Sequence, residues 1–335
     1  CCRNAMGDGL PVVAPTRKRV EAMVERTDLA PDDVLVQECP PSGAAFTVRS
    51  IAVNAVMAGC RPEYFPIVLT AIQAMAEPKF RLFQAAITTH PAGNMVVVSG
   101  PLAKELGIHS KSGCLGPGFR ANATIGRTLT LCMLNIARSI PGLSDLSTFG
   151  SPAEYSFCFA ENDEDNPWQP LHTELFGAET TCVLVDKCEA PHNAIDNMGK
   201  SPEAYLDVIA SKAATTGGNN ATNPSELVVL LNPGVARILA EAGYTKKDVQ
   251  AYLFDKARNP ASAFVSSPRS QWPRWFSAVD KVPVVHQAED IYVVVCGGVG
   301  PHSMVCVPWG FSRAVIKPVV AKNGQPVRSI AGGRR

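Results

Sequence analysis

Apolar residues along the chain fall into two kinds of run. Some recur at three- and four-residue spacing, the signature of one helical face: residues 16–26, 44–58, 66–75, 102–106 and 128–138. In the second of these Val48, Ile51, Ala52, Ala55 and Val56 share a side, and Pro66 opens the third where a first-turn proline is tolerated. Others are short and unbroken, as in strands buried on both faces: 33–37, 85–89, 95–99, 155–160, 180–185, 227–231 and 291–295, the last strand expected. Residues 10–15 read as an edge strand or arm. Proline and glycine clusters at 38–43 and 141–142 cannot stay regular and predict loops, while Gly59 marks a helix stop. Strands alternating with helices predict an α/β fold.

A pattern recurs within this order. Thr88-Thr89-His90 leads to an apolar run at 95–99, then Gly100-Pro101, a short helix and Gly107. Thr215-Thr216-Gly217 leads to 227–231, then Asn232-Pro233, a helix and Gly243. The repetition predicts two related α/β lobes, 10–200 and 201–320, with mostly parallel or mixed sheets and an active cleft between them. Residues 321–335 are expected to form a disordered, basic tail. In open α/β sheets ligands lie at the carboxyl ends of strands, which directs attention to the loops there.

The strongest local signal is Ser112-Gly113-Cys114-Leu115-Gly116-Pro117-Gly118-Phe119-Arg120-Ala121-Asn122, running on to Arg127. Gly116 and Gly118 let a backbone approach a ligand. A following helix start would offer amide donors to an anion. Arg120, Asn122 and Arg127 add donors suited to a carboxylate. No Gly-Lys-Ser/Thr follows, so this is not a nucleotide-binding P-loop, nor does it match the dinucleotide fingerprint. A small carboxylate is the expected ligand. Thr88, Thr89, Thr215, Thr216, Gly297 and Gly298 are expected to complete its surroundings; the ordinary alternative for each Thr pair is β-strand chemistry.

Composition narrows the function. With 335 residues the chain can bury a large core, and 46% apolar with 18% charged residues fits a globular protein. A net charge of +1 gives no positive field for nucleic acid. No apolar run is long enough to span a membrane. Met6 reads as the natural start, with Cys1–Ala5 appended, and no signal-peptide pattern is present. Eleven cysteines without a CxxC pair point to free thiols in a reducing cytoplasm.

Cys132, Cys158, Cys182, Cys296 and Cys306 lie within apolar runs, where cysteine reads as a small buried hydrophobe. Cys60 beside Arg61, Cys114 near His109 and Lys111, and Cys296 at a strand end before Gly297-Gly298 are the candidate nucleophiles, with Cys39 behind them. His90 or His302 would act as acid or base, and Cys296 with His302 would suit nucleophilic catalysis. His90, Glu161 and His302 form an alternative, metal-binding set whose spacing matches no known ligand pattern. No cofactor is expected otherwise. Asn162 to Asp165 reads as a solvated acidic loop.

Three phrases, Asn54-Ala55-Val56-Met57-Ala58-Gly59-Cys60-Arg61-Pro62-Glu63-Tyr64, Gly116-Pro117-Gly118 with Arg120 to Arg127, and Ala160-Glu161-Asn162 with Pro167-Trp168, resemble bacterial proteins of the UGSC (seleno)protein family. The resemblance covers most of 30–310. The Gly-Ser-Cys motif that names the family is absent here, so its redox centre does not carry over. The resemblance implies kinship with thiol-type chemistry.

The sequence therefore predicts an enzyme acting on a small anionic substrate by thiol-assisted hydrolysis, elimination or redox chemistry. The alternatives are a metal-dependent hydrolase or lyase, and a non-catalytic subunit that presents substrate to a partner redox protein. A homo-oligomer is also compatible with it.

Overall fold

The computed structural model describes residues 7–196, 199, 201–221, 223–264 and 279–330. Helix α1 (Arg17–Val24) precedes a hairpin of β1 (Val34–Cys39) and β2 (Ala44–Thr47). Then come α2 (Val48–Ala58), α3 (Phe65–Met75), α4 (Leu82–Ile87), β3 (Gly93–Ser99), α5 (Pro101–Glu105), α6 (Arg120–Cys132), β4 (Cys158–Ala160), α7 (Leu171–Phe176), β5 (Cys182–Cys188) and β6 (His192–Ile195). The second part holds α8 (Pro202–Ala213), β7 (Leu227–Leu231), α9 (Pro233–Glu241), α10 (Lys246–Lys256), β8 (Arg258–Pro260), β9 (Lys281–Pro283), β10 (Ile291–Val295), β11 (His302–Cys306) and β12 (Val315–Pro318).

The fold is α/β, built on two mixed four-stranded sheets in the orders β12-β5-β3-β4 and β10-β7-β11-β6. Alternation along the strands explains how they stack. In β3, Met95 and Val97 point to one face and Val96 and Val98 to the other. Met95, Val97 and Leu184 pack with Val228, Leu230 and Val294 of the other sheet, so the sheets lie face to face. Val96, Val98, Val183 and Val185 instead meet α2, α3 and α6. Val229, Leu231, Val293 and Val305 meet α8, α9 and α10 on the far side. The result is a helix–sheet–sheet–helix sandwich.

Both sheets share one connectivity. β3 pairs parallel with β4 and antiparallel with β5, and β7 pairs parallel with β10 and antiparallel with β11. The next strand leaves its own sheet in each case: β6 joins β11, and β12 joins β5. The strand–proline–helix units read as a repeat are β3–α5 and β7–α9, and they occupy equivalent positions.

Several expected elements differ. Residues 44–47 are a strand, because the turn at 40–43 closes a hairpin with β1; the helix starts only after Thr47, whose hydroxyl and Ser50 cap each other. Residues 85–89 were expected as a strand, but 82–87 form α4, whose Ala85 and Ala86 are buried against the helical layer. The helix expected from 128 begins at Arg120, and its last turn is a π-turn over Met133–Ala137. Two strands follow β10, which is not the last. Lys322 N–H donates to Asp28 Oδ2 and Ile330 N–H to Glu105 Oε1, so 322–330 is attached to the body; 331–335, like Cys1–Met6, lies outside the described residues. No helix among the described residues is long and apolar enough to cross a membrane.

Candidate functional site

The carboxyl ends of β3, β4 and β10 meet at one end of the sandwich. The chain leaving β4 binds both sheets: Glu161 N–H donates to Val98 O at 2.9 Å and Asn162 N–H to Val295 O at 2.8 Å. The loop after α5 folds over the same end, with Ala160 N–H on His109 O at 3.2 Å and Gly297 N–H on Ser110 O at 2.7 Å. A Cβ at Gly298 would lie 2.8 Å from Ser112 Cβ, so glycine is what lets the two loops touch.

Asn122, on the first turn of α6, organises this loop rather than a ligand. Its amide accepts from His109 N–H at 2.8 Å and donates to His109 O and Cys114 O at 2.9 and 3.0 Å. The His109 ring stacks on Phe119 with centroids 3.6 Å apart. Cys114 is thereby fixed against Cys296. Both are buried, but the four residues after Cys114, including Gly116 and Gly118, are exposed.

The two thiols are electrically unlike. The Cys296 thiol, packed beside the Cys114 sulfur, holds Cys114 below the usual thiol range; burial opposes this, and the N–H groups of Gly297, Cys114 and Leu115 add to it. Cys296 moves well above that range, because Cys114 and burial both disfavour its thiolate. Of the two, Cys114 is therefore the one favoured to lose its proton, and Cys296 the one favoured to keep it.

A polar cluster adjoins it. Ser99 Oγ–H donates to Glu161 Oε2 at 2.6 Å and lies 2.9 Å from His172 Nδ1. Leu171 N–H and the Asn166 amide donate to the same carboxylate at 2.8 and 3.1 Å, and Lys246 Nζ is 3.8 Å away. Burial raises Glu161 and depresses His172. Burial and the Glu161 charge push Asp163 up to about 7, and its Oδ1 is buried without a hydrogen-bond partner. Ser99, His172 and Lys246 were missed in the sequence. The one available signal was a serine closing the apolar run of β3. The acidic loop was misread in part: Glu164 is solvated and pairs with Lys104 and Lys111 at 2.6 and 2.8 Å, whereas Asn162 is buried.

Other expected site residues are placed elsewhere. Arg120 donates through Nε and Nη2 to Gly59 O, and Arg127 grips Asp8 through Nε at 2.6 Å and Nη2 at 2.8 Å. Both forks are committed to the protein itself, which corrects their reading as carboxylate ligands. Cys60 is buried with its sulfur 3.2 Å from Thr128 Oγ1, and burial raises its pKa, which disfavours the thiolate a nucleophile needs. Cys39 is pushed up to about 12 by burial.

His90 Nε2 pairs with Glu189 at 2.7 Å, and His302 is an exposed residue bonded to Asn193 at 2.9 Å rather than to Cys296. Thr88 Oγ1 accepts from His90 N–H and Thr89 O from Thr148 N–H, at the amino end of β3. Thr215 Oγ1–H donates to Lys212 O at the end of α8, next to exposed Thr216. The threonine loops therefore sit at strand amino ends, opposite the cysteine pair. His90, Glu161 and His302 do not meet, and among the described residues no group of three or more His, Cys, Asp or Glu is arranged to hold a metal ion. Of the expected set, the fold brings together Cys114, Cys296, Gly297, Gly298 and Asn122.

No family model matches the chain, and no curated protein matches it.

Proposed function

We propose that this chain is a thiol-dependent enzyme acting by dithiol–disulfide exchange at Cys114 and Cys296. The observation that supports it is the contact between two thiols from distant parts of the chain, one held toward thiolate and the other toward thiol. A thiolate is the attacking species in such exchange, and a neighbouring thiol resolves the product. In the reaction, Cys114 sulfur attacks one sulfur of a small disulfide R–S–S–R′ and expels R′–S⁻. The Cys296 thiol gives its proton to that thiolate and attacks Cys114 sulfur, expelling R–S⁻, which takes up a proton from water. The protein disulfide is then reduced by an external thiol or a partner redox protein.

Hydrolysis and elimination are less favoured, because each needs an acid–base partner on the thiol and neither His90 nor His302 reaches it. An anionic group on the substrate would be met by the exposed Gly118 backbone amide, because Arg120 and Arg127 are engaged internally and the Gly116 N–H donates to Gly113 O at 2.8 Å. A reducing, cytoplasmic setting suits the nine described cysteines, all free and buried.

The test is oxidation with diamide followed by peptide mapping, with iodoacetamide rates measured against pH. The expected result is a Cys114–Cys296 disulfide as the first to form, lost in Cys114→Ser. Cys114 alkylation should rise through a midpoint below the ordinary thiol value of 9.0. Alkylation of Cys114 at the rate of an ordinary buried thiol, with no such disulfide, sinks the proposal.

A further inference from the structure

A large opening lies at the other end of β3, about 20 Å along the strand from Ser99 at 3.3 Å per residue. It is a cavity of about 810 Å³ between α4, the end of α6 and the 141–155 loop. That volume is in the range of small-molecule sites. None of the cysteines or the Glu161 cluster lines it.

Its chemistry comes from two neighbouring groups. Lys187 on β5 pairs in register with Asn94 on β3, and both face the cavity. Beside them the chain at 153–154 approaches β3 so closely that a Cβ on Gly93 would lie 2.4 Å from Ala153 O. This approach brings Glu154, also a lining residue, to Lys187, and Thr130 Oγ1–H fixes it by donating to Glu154 O at 2.6 Å. The opposite wall is the π-turn Met133–Ala137, a distortion of α-helices that often marks functional sites. It closes with Arg138 at φ 62°, a left-handed conformation costly outside glycine. Met133, Leu134, Phe149 and Tyr155 supply apolar surface, and Phe149 is 93% exposed at the mouth.

We propose that this cavity binds a small carbonyl compound with an apolar body, and that Lys187 condenses with it to an imine. Burial lowers the Lys187 ammonium pKa, favouring the neutral amine that attacks, and burial raises Glu154 so that it can carry a proton. Asp145 and Glu154 are the carboxylates whose charge reaches Lys187, and Arg138 stands on the rim. The Lys187 nitrogen lone pair attacks the carbonyl carbon, and a nitrogen proton passes to the oxygen to give a carbinolamine. Glu154 protonates the hydroxyl, which leaves as water as the C=N bond forms. The remaining nitrogen proton returns to Glu154. One amine and one carbonyl become one imine and one water, with no oxidant or metal. The site is independent of the cysteine pair.

The test uses benzaldehyde with sodium cyanoborohydride, which reduces an imine to a stable benzyl amine, followed by peptide mapping of the full chain. The expected result is an adduct on Lys187 ahead of the exposed Lys104 and Lys256, slowed roughly tenfold or more in Glu154→Gln. Lys187→Met should abolish that adduct while the circular dichroism spectrum is retained. Adducts confined to exposed lysines, with Lys187 unmodified in the wild-type chain, overturn the proposal. Unchanged labelling of Lys187 in Glu154→Gln overturns the role given to Glu154.

Discussion

Replacing Asp186 by Asn should remove a loss of stability that accompanies rising pH. Asp186 is buried between the two sheets, accepting from Lys187 N–H at 2.8 Å and from the Cys188 thiol at 3.6 Å. Burial, with the Glu226 charge adding, pushes its carboxyl up to about 8 from an unfolded value near 3.8. Between those values the folded state holds a proton that the unfolded chain has released. Wild-type stability therefore falls as pH rises through this window, by about 1.4 kcal/mol per unit. Asn has no proton to lose. From about pH 4.5 to 7.5 the stability of Asp186→Asn relative to wild type should rise by about 2–4 kcal/mol, the lower figure applying if Glu226 takes up part of the proton binding. Urea unfolding of both proteins at three pH values measures the gap. A gap constant to within about 0.5 kcal/mol, the ordinary error of such comparisons, would refute the reasoning.

Three further outcomes are expected. Gly93→Ala places a Cβ against backbone that cannot rotate away, so it should cost about 2–3 kcal/mol in urea unfolding. Asn122→Ala removes three hydrogen bonds that tie down the Cys114 loop; stability should fall by about 3 kcal/mol and Cys114 should alkylate faster than in wild type. A double-mutant cycle of Asp8→Ala and Arg127→Ala should give a coupling of about 1–2 kcal/mol, since the pair is largely buried; zero coupling would mean that Arg127 is free for another partner.

The parts of the fold legible in the sequence were those where one local pattern admits one reading. The unbroken runs of β3, β7 and β10 could only be buried strands, and the proline after each of the first two set the helix that follows. Short apolar runs were ambiguous in kind: 85–87 could be strand or helix until the neighbouring layer was known, and 44–47 became a strand only because the turn at 40–43 returns the chain to β1. The site divided the same way. Cys114, Cys296 and the glycines near them were visible as chemistry-bearing loops, but nothing local shows that 114 meets 296. Arg120 and Arg127 had the right donors, and their partners, Gly59 O and Asp8, lie far away in sequence. His172 and Lys246 reach Glu161 only through the crossing of loops between layers, which leaves no periodic trace.

The exchange of β6 and β12 has a consequence for what a severed half could do. Each half completes the other by lending its final strand, a reciprocal clasp rather than two beads on a string. Cut between them, the first half would keep an unfilled berth beside β5 and a loose β6 with no β11 to receive it. A second copy of the same half offers both a berth and a strand, so such a fragment would be driven to dimerise with itself.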